Sequence, residues 1–310
     1  RVQGNAEFDN SKQLYNGVTE IRGRGNSTWS QPKKPYRLKL NKKTDMFGMG
    51  EETKSKHWVL LANYMDESLM RNTLAYDMSG EMGMEHLSTV WVEVIMNGKH
   101  VGNYQFCENI RVDEDRVNIF DWESFGEDAA AVIAEATGLD EDDLATYMAE
   151  TSMQWITSGS FTFNGQTYKL SDYEADLLAL VADDYGHTLT SISELEDLIN
   201  GGYILELDEY YDEVSKFKTK SGQPMMFKNP EFVYTNTDMM NYVQTYVQAF
   251  EDAVASEDYT AQYDGKATHY SELYDFDALI DYWLVTEIFY NEEINKKSTY
   301  MYKEVDELML

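Results

Sequence analysis

The spacing of apolar residues changes along this chain, and that change limits the folds it can adopt. Up to about residue 110, short apolar runs are separated by polar residues and turn signals, which is typical of β-strands. Five segments have this pattern: 18–22, 35–40, 58–61, 90–96 and 100–108. Between the third and the fourth, Asp66 or Ser68 is suited to cap a helix that runs to about Met82. The Asn97-Gly98 pair predicts a hairpin that joins the last two segments.

Helical periodicity dominates the remainder of the chain. Residues 125–200 are acidic and Ala-rich, with a small hairpin predicted at 161–168, and we expect them to form a peripheral helical insertion. A strand is predicted at 202–207 and another at 298–303, with amphipathic helices at 238–256 and 275–290. Strands followed by helices predict an α+β, two-lobed protein. The predicted division is a strand-rich lobe at 1–124, the insertion at 125–200, and a mostly helical remainder at 201–310.

Charge and cysteine content exclude several classes of function. The 310 residues carry 56 acidic and 25 basic side chains, for a net charge of −31. Such a surface repels phosphate backbones and anionic membranes, so we expect neither nucleic-acid binding nor membrane insertion. It suits a secreted protein or one with a basic partner. The single cysteine, Cys107, cannot form an internal disulfide or a thiolate zinc site, and we interpret it as a small buried apolar residue. Oligomeric state is not predicted.

The sharpest local feature is a Gly-rich turn at 22–29, with the sequence RGRGNSTW. Its glycines allow a tight turn, and its two arginines Arg22 and Arg24, with Asn26 and hydroxyl groups such as that of Ser27, could donate hydrogen bonds to a phosphate. Lys39 follows on a predicted strand, which matches the order of elements in a kinase nucleotide lobe. A turn between two strands with no ligand is the other interpretation. The GxxxxGK[ST] pattern of a P-loop is absent from the sequence.

Three further groups of residues could have either a functional or a structural role, and the sequence does not decide between them. Glu293 follows Asn291 in a loop and could orient a hydroxyl group, or it could be an exposed acid in an acidic chain. Asp208, at the end of a predicted strand, could bind Mg²⁺ or face solvent. Asp66 and Arg71 flank the start of the predicted helix, where a capping and ion-pair role is the simplest interpretation.

Taken together, these segments resemble the CotH kinase family, the relatives of spore coat protein H. The similar segments appear in family order: 21–29 with 34–39, 58–64 with Asp66, Arg71 and Asn72, 97–112, 201–208 with 228–231, and 276–303. The resemblance covers most of the chain outside 125–200.

The resemblance implies a divergent, two-lobed protein-kinase-like fold that uses ATP and Mg²⁺ to phosphorylate Ser or Thr of a protein. It implies nucleotide-binding roles for Arg24, Asn26, Ser27, Lys39, Arg71 and Glu108, a metal-binding role for Asp208, and catalytic roles for Glu293 and Asn291. Members occur in spore coats and in secreted, cell-surface and cellulosome-associated proteins. We therefore expect a spore-coat, cell-surface or other extracellular location, and a Ser/Thr-containing substrate that is basic.

Two departures from the family pattern bear on activity. Glu293 stands where many members have an aspartate, and its extra methylene moves the carboxylate by about an ångström. The family's metal-binding Trp-Asp-hydrophobic-Asp motif follows the last predicted strand, whereas this sequence ends at Leu310. We therefore expect the full-length protein to be an enzyme and this portion to lack metal ligands. The alternative is a catalytically silent surface, adhesion or binding module with the same fold.

Overall fold

The computed structural model describes residues 2–3, 13–47 and 54–310. The chain divides into two compact units. Unit 1 contains Arg1–Ile110 and Asp281–Tyr290, and unit 2 contains Arg111–Ile280 and Asn291–Leu310. Both units combine helices with antiparallel sheets, so the expected α+β class is confirmed. The three-part division at 1–124, 125–200 and 201–310 stays a prediction.

Unit 1 is built on one five-stranded antiparallel sheet in the order β3-β4-β5-β7-β6. The strands of unit 1 are β1 (Val2–Gln3), β2 (Gln13–Tyr15), β3 (Thr19–Gly23), β4 (Tyr36–Asp45), β5 (Lys54–Leu61), β6 (Thr89–Met96) and β7 (Lys99–Glu108). Helix α1 (Arg71–Glu81) lies between β5 and β6 in sequence. All five predicted strands and the predicted helix are present. The predicted Asn97-Gly98 turn is also present, and both residues have the positive φ that a tight hairpin requires.

Successive side chains of a strand point to opposite faces of a sheet, and in unit 1 one of the two faces packs into the core. Tyr36, Leu38 and Leu40 of β4 share one face with Trp58 and Leu60 of β5, and together they pack into the core of this unit. The opposite face carries the intervening residues of the same strands. Cys107 lies on that opposite face and is 1% exposed, which confirms its interpretation as a buried residue. Burial raises the pKa of its thiol to about 12.

Helices and a four-stranded sheet make up most of unit 2. The helices are α2 (Trp122–Thr137), α3 (Glu141–Thr146), α4 (Trp155–Ser158), α5 (Glu174–Asp184), α6 (Thr237–Ala255) and α7 (Phe276–Ile288), whose last turns belong to unit 1. The strands are β8 (Ser160–Phe163), β9 (Gln166–Lys169), β10 (Tyr203–Leu207), β11 (Lys216–Lys218), β12 (Pro224–Asn229), β13 (Thr260–Tyr263), β14 (Lys266–His269) and β15 (Thr299–Lys303). The main sheet has the order β11-β12-β10-β15.

Two hairpins and several short helical turns complete unit 2. Strands β8 and β9 form the hairpin predicted at 161–168, and β13 and β14 form a second hairpin that the sequence analysis did not predict. Short 3₁₀ helices of the chain are Ser27–Ser30, Leu170–Tyr173, Ile192–Asn200, Val233–Thr235 and Tyr270–Glu272, with one π-helical turn at Tyr147–Thr151. No helix among the described residues has both the length and the apolar character needed to span a bilayer.

Residues 125–200 contribute to the core of unit 2, whereas the sequence analysis placed them at the periphery. Phe125, Ile133 and Leu195 belong to the same buried cluster as Tyr203 and Phe227 of the main sheet. The sequence suggested a periphery because this segment is rich in acids, but the acids lie on outward faces while its apolar residues pack inward. Helix α2 begins where Asp121 caps the N–H groups of Glu123 and Ser124.

The Gly201-Gly202 pair lets the chain pass very close to other backbone at the start of β10. A Cβ on Gly201 would lie 2.0 Å from the nitrogen of Val305. Gly202 has a φ of +81°, and a Cβ there would lie 2.5 Å from Nε1 of Trp122. The same indole N–H donates to the carbonyl oxygen of Gly201 at 2.9 Å. These contacts fix the start of β10, which in turn places the polar residues at its other end.

Candidate functional site

The face of the unit 1 sheet opposite its core is basic at one edge. Arg22 of β3 lies directly opposite Arg37 of β4, and Glu20 lies opposite Lys39. We call the residues Arg22, Arg37 and Lys39, together with Arg24 at the end of β3, the basic face. Like charges opposite each other on neighbouring strands repel. This arrangement is therefore suited to an anion, in a chain that otherwise carries a large excess of acids.

Arg24 lies on this face and is only partly exposed. Burial raises the pKa of Tyr76 on α1, and the Arg24 guanidinium partly offsets that effect. The same guanidinium partly offsets the raised pKa of Cys107 on β7. Arg24 is therefore close to both α1 and β7. Within the part of the chain that the structure describes, Arg22, Arg24 and Lys39 form no ion pair.

Packing of Trp29 explains the glycines of the Gly-rich turn. A Cβ on Gly23 would lie 2.4 Å from the Trp29 ring, and Gly25 has a φ of +77°. The Trp29 ring meets Tyr36 edge-on at 5.9 Å, and Nζ of Lys34 lies 5.4 Å from its centroid. The turn is thus held by its own residues. The side chains of Asn26 and Ser27 are exposed at its tip.

Arg71 and Glu108 have local structural partners. The Asp66 carboxylate accepts the Arg71 N–H at 2.9 Å and lies 3.7 Å from the Arg71 Nε. The sequence predicted Asp66 or Ser68 as the helix cap, but α1 begins at Arg71 with Met70 at the cap position, and Asp66 binds the first helical N–H from the preceding turn. Burial favours a higher pKa for Asp66, but backbone and hydroxyl donors lower it overall. Glu108 is 7% exposed, lies opposite Trp58 on the core face, and accepts the Ser88 N–H at 3.0 Å. Neither residue belongs to the basic face.

In unit 2, Asp208 lies directly after β10 and joins two segments. One carboxylate oxygen accepts the N–H of Tyr210 at 2.8 Å, and the other accepts the N–H of Ser298 at 3.3 Å. The Glu209 N–H also donates to the Lys296 carbonyl at 2.9 Å. The loop after β10 is therefore tied to the residues that lead into β15. Both segments contain residues singled out from the sequence.

Glu293 lies in the second of these segments, in the turn that leads to β15. Its N–H donates to the Asn291 side-chain oxygen at 3.1 Å, so Asn291 stabilises the turn that carries it. The Glu293 carboxylate is 57% exposed and lies 3.7 Å from Nζ of Lys297. The Lys297 ammonium also contacts the Glu209 carboxylate at 2.8 Å. An exposed carboxylate on an ordered turn is accessible to a substrate hydroxyl.

A second group of charged residues surrounds Glu206, two residues before Asp208 on the same face of β10. Glu206 is 6% exposed and lies 3.5 Å from Nζ of Lys228, which also forms an ion pair with Glu213. Burial raises the pKa of Glu206, while Lys228 and a hydrogen bond from Tyr300 oppose the rise. Burial favours a lower pKa for Lys228, but Glu213 and Glu206 outweigh burial, and the pKa of Lys228 is raised. Lys228 thus links two acids close to Asp208.

Asp208 by itself does not complete a magnesium site. Each of its oxygens already accepts a backbone N–H, and Mg²⁺ takes six oxygen ligands in near-octahedral geometry. Among residues 2–3, 13–47 and 54–310, no group of three or more His, Cys, Asp or Glu side chains is arranged to hold a metal ion. The remaining lone pairs of Asp208 allow it to be one ligand of such an ion.

The structure thus groups the predicted site residues into two sets. In unit 2 the loop that contains Asp208 is joined to the segment that contains Asn291 and Glu293, through the bond from Ser298 to Asp208, although the two segments are far apart in sequence. In unit 1, Arg24 and Lys39 share the basic face, and Asn26 and Ser27 lie in the adjoining turn. Sequence reasoning missed Arg37, whose signal was the alternation of basic residues, and also Lys228 and Glu206, which had no local signal.

Comparison with known proteins identifies the family to which the chain belongs. A family model described as CotH kinase protein matches residues 21–309, which is nearly the whole chain. The mixed α+β protein with the two sets of residues described above is therefore kinase-like. The chain belongs to the CotH kinase family. No curated protein sequence matches it significantly.

Proposed function

We propose that the protein is an atypical protein kinase that transfers the γ-phosphate of ATP to Ser or Thr of a protein. The family match supports a kinase-like function, and the basic face of unit 1 is the observation that carries the proposal. We also propose that unit 1 is the nucleotide-binding lobe of a divergent two-lobed kinase-like fold. Its order of strands, with a helix before the last two, is the order found in kinase nucleotide lobes.

In this proposal the basic face and the Gly-rich turn bind the phosphates of ATP. Arg24 and Lys39 supply charge, and the exposed side chains of Asn26 and Ser27 supply further donors. Arg22 adds a third cation without an ion pair in the described residues. Hydrogen bonds to charged groups contribute about 1.5–3 kcal/mol each, so loss of one such residue corresponds to a roughly tenfold or larger loss of affinity.

Glu293 is the proposed base that orients the acceptor hydroxyl. It is exposed, and Asn291 stabilises the turn that carries it. Mg²⁺ bound with ATP would neutralise charge on the phosphates, and Asp208 would be one of its ligands. The net charge of −31 favours a basic protein substrate, by simple attraction. A spore-coat or other extracellular location is proposed from the family alone.

Calorimetric titration with ATP and Mg²⁺ tests the nucleotide site. Wild type should bind, and Lys39→Ala and Arg24→Ala should each weaken binding about tenfold or more. Lys42→Ala, an exposed lysine on the same strand, is the matched control and should bind like wild type. Equal affinities for all four proteins would remove the basic face from the site.

A transfer assay with labelled ATP and a panel of basic and acidic proteins tests the reaction itself. Wild-type full-length protein should label Ser or Thr, preferably in basic proteins. ATP binding without transfer to any protein would instead indicate the catalytically silent binding module.

A further inference from the structure

Lys297 connects the two segments that carry the predicted catalytic and metal-binding residues. Its Nζ lies 2.8 Å from the Glu209 carboxylate, 3.7 Å from the Glu293 carboxylate and 5.1 Å from the centre of the Tyr210 ring. The Lys297 side chain is only 20% exposed, whereas both carboxylates are more than half exposed. One ordered ammonium group is thus held between two more exposed acids.

The backbone around Lys297 restricts where its side chain can reach. The next residue, Ser298, donates its N–H to Asp208, and the preceding residue, Lys296, accepts the Glu209 N–H. Residues 296–298 are therefore held against the loop at 208–210. Lys297 extends from this fixed stretch back to Glu293, one helical turn earlier in sequence.

Charge explains why this connection matters. Glu209, Glu293 and Asp208 are three acids in neighbouring segments, and without a cation they repel one another. Ion pairs between exposed groups contribute little to global stability, so the lysine is poorly explained as a stabilising residue. A contact that holds one carboxylate in one place is a better explanation, because a misplacement of about 1 Å can reduce catalysis by ~10²-fold.

We propose that Lys297 is a positioning residue that holds the Glu293 carboxylate in the orientation needed to accept the proton of the substrate hydroxyl. The proposal rests on the proposed kinase function. It assigns to Lys297 no contact with ATP. Loss of Lys297 should therefore lower kcat for phosphate transfer and leave the KM for ATP unchanged.

Lys296 provides a matched control for the experiment. It is the adjacent lysine, its side chain is exposed, and within the described residues its side chain forms no ion pair. Because only its backbone contacts Glu209 and Glu293, Lys296→Met keeps those bonds while removing the same charge. Lys297→Arg tests rescue, because a guanidinium can bridge the same two carboxylates.

In the full chain, Lys297→Met should lower kcat about tenfold or more, whereas Lys296→Met should retain wild-type kcat. Lys297→Arg should recover a large part of the loss. Equal kcat for the two Met variants, or a Lys297→Met effect confined to the KM for ATP, would overturn the proposal.

Hydrogen exchange of backbone amides gives a second readout that does not depend on activity. Exchange in 208–210 and 291–298 should be faster in Lys297→Met than in Lys296→Met or wild type. If wild type transfers no phosphate, the kinase function fails, and this measurement still decides whether Lys297 orders the turn of Glu293. Unchanged exchange in Lys297→Met would refute the positioning role in either case.

Discussion

Glu123, in the first turn of α2, should make the stability of unit 2 depend on pH. Its carboxylate accepts the N–H of Glu231 at 2.6 Å in a half-buried position. Burial raises the pKa of Glu123 from its ordinary 4.5 to about 7, and the neighbouring acids Asp121, Glu231 and Glu127 add to the rise. The N–H of Glu231 opposes the rise without cancelling it.

The direction of the effect follows from the two protonation states. Because the pKa of Glu123 is higher in the folded chain, the folded state holds a proton that the unfolded state releases between pH 4.5 and about 7. Stability therefore falls as pH rises through that window. Each pKa unit corresponds to about 1.4 kcal/mol, so ionised Glu123 destabilises the folded state by up to about 3 kcal/mol above pH 7.

Glu123→Gln removes this penalty, since the amide oxygen can still accept the Glu231 N–H. At pH 8 the variant should unfold up to roughly 10 °C above wild type, and at pH 4.5 the two should nearly coincide. Thermal unfolding followed by circular dichroism measures both. Glu135→Gln, an exposed position on the same helix, removes the same charge and controls for the reduced overall repulsion. The reasoning is refuted if both variants shift equally, or if Glu123→Gln is destabilised at pH 8.

Three further predictions concern the site, the backbone and the core. Glu293→Gln should reduce the rate of phosphate transfer by ~10²-fold or more. Its melting temperature should stay unchanged, because the Glu293 side chain is 57% exposed. A variant that transfers phosphate as fast as wild type would show that Glu293 is not the base. Gly201→Ala should lower the free energy of unfolding by about 3 kcal/mol or more, because the new Cβ would clash with backbone atoms. Gly138→Ala is the control: Gly138 has open space around it and a φ of +75°, so the loss should be only about 1 kcal/mol. Urea unfolding measures both, and equal losses would contradict the prediction. Deletion of 125–200 should abolish cooperative melting of unit 2, since these residues share its core, and a retained sharp transition would contradict that view.

Features that depend on neighbouring residues were accessible from the sequence. The Asn97-Gly98 hairpin and the strand predicted at 202–207 both follow from short-range signals, and both are present; the helix predicted from Asp66 or Ser68 is also present but begins later, at Arg71. The hairpin of β13 and β14 has an equally good signal in Asp264-Gly265, both with positive φ, although the helical pattern around it predicted no strand there.

Strands with few apolar residues were harder to predict. The segment containing β11 and β12 has lysines at alternate positions and only short apolar runs, and the sequence analysis assigned it no strand. Its strands form because β12 pairs with β10, all of whose residues are buried. The position of 125–200 in the core is another consequence of such distant packing.

By itself, the sequence determined the family, the alternation of strands and helices, and the residue types available for chemistry. Only the tertiary structure decided which charges meet: that Lys228 pairs with Glu206, that Arg22 lies opposite Arg37, and that Lys297 lies between Glu209 and Glu293. Turns and helix caps are determined by interactions between residues that are only a few positions apart in sequence. Partners across a sheet are settled by register and by burial of apolar surface, which bring together side chains that are far apart along the chain.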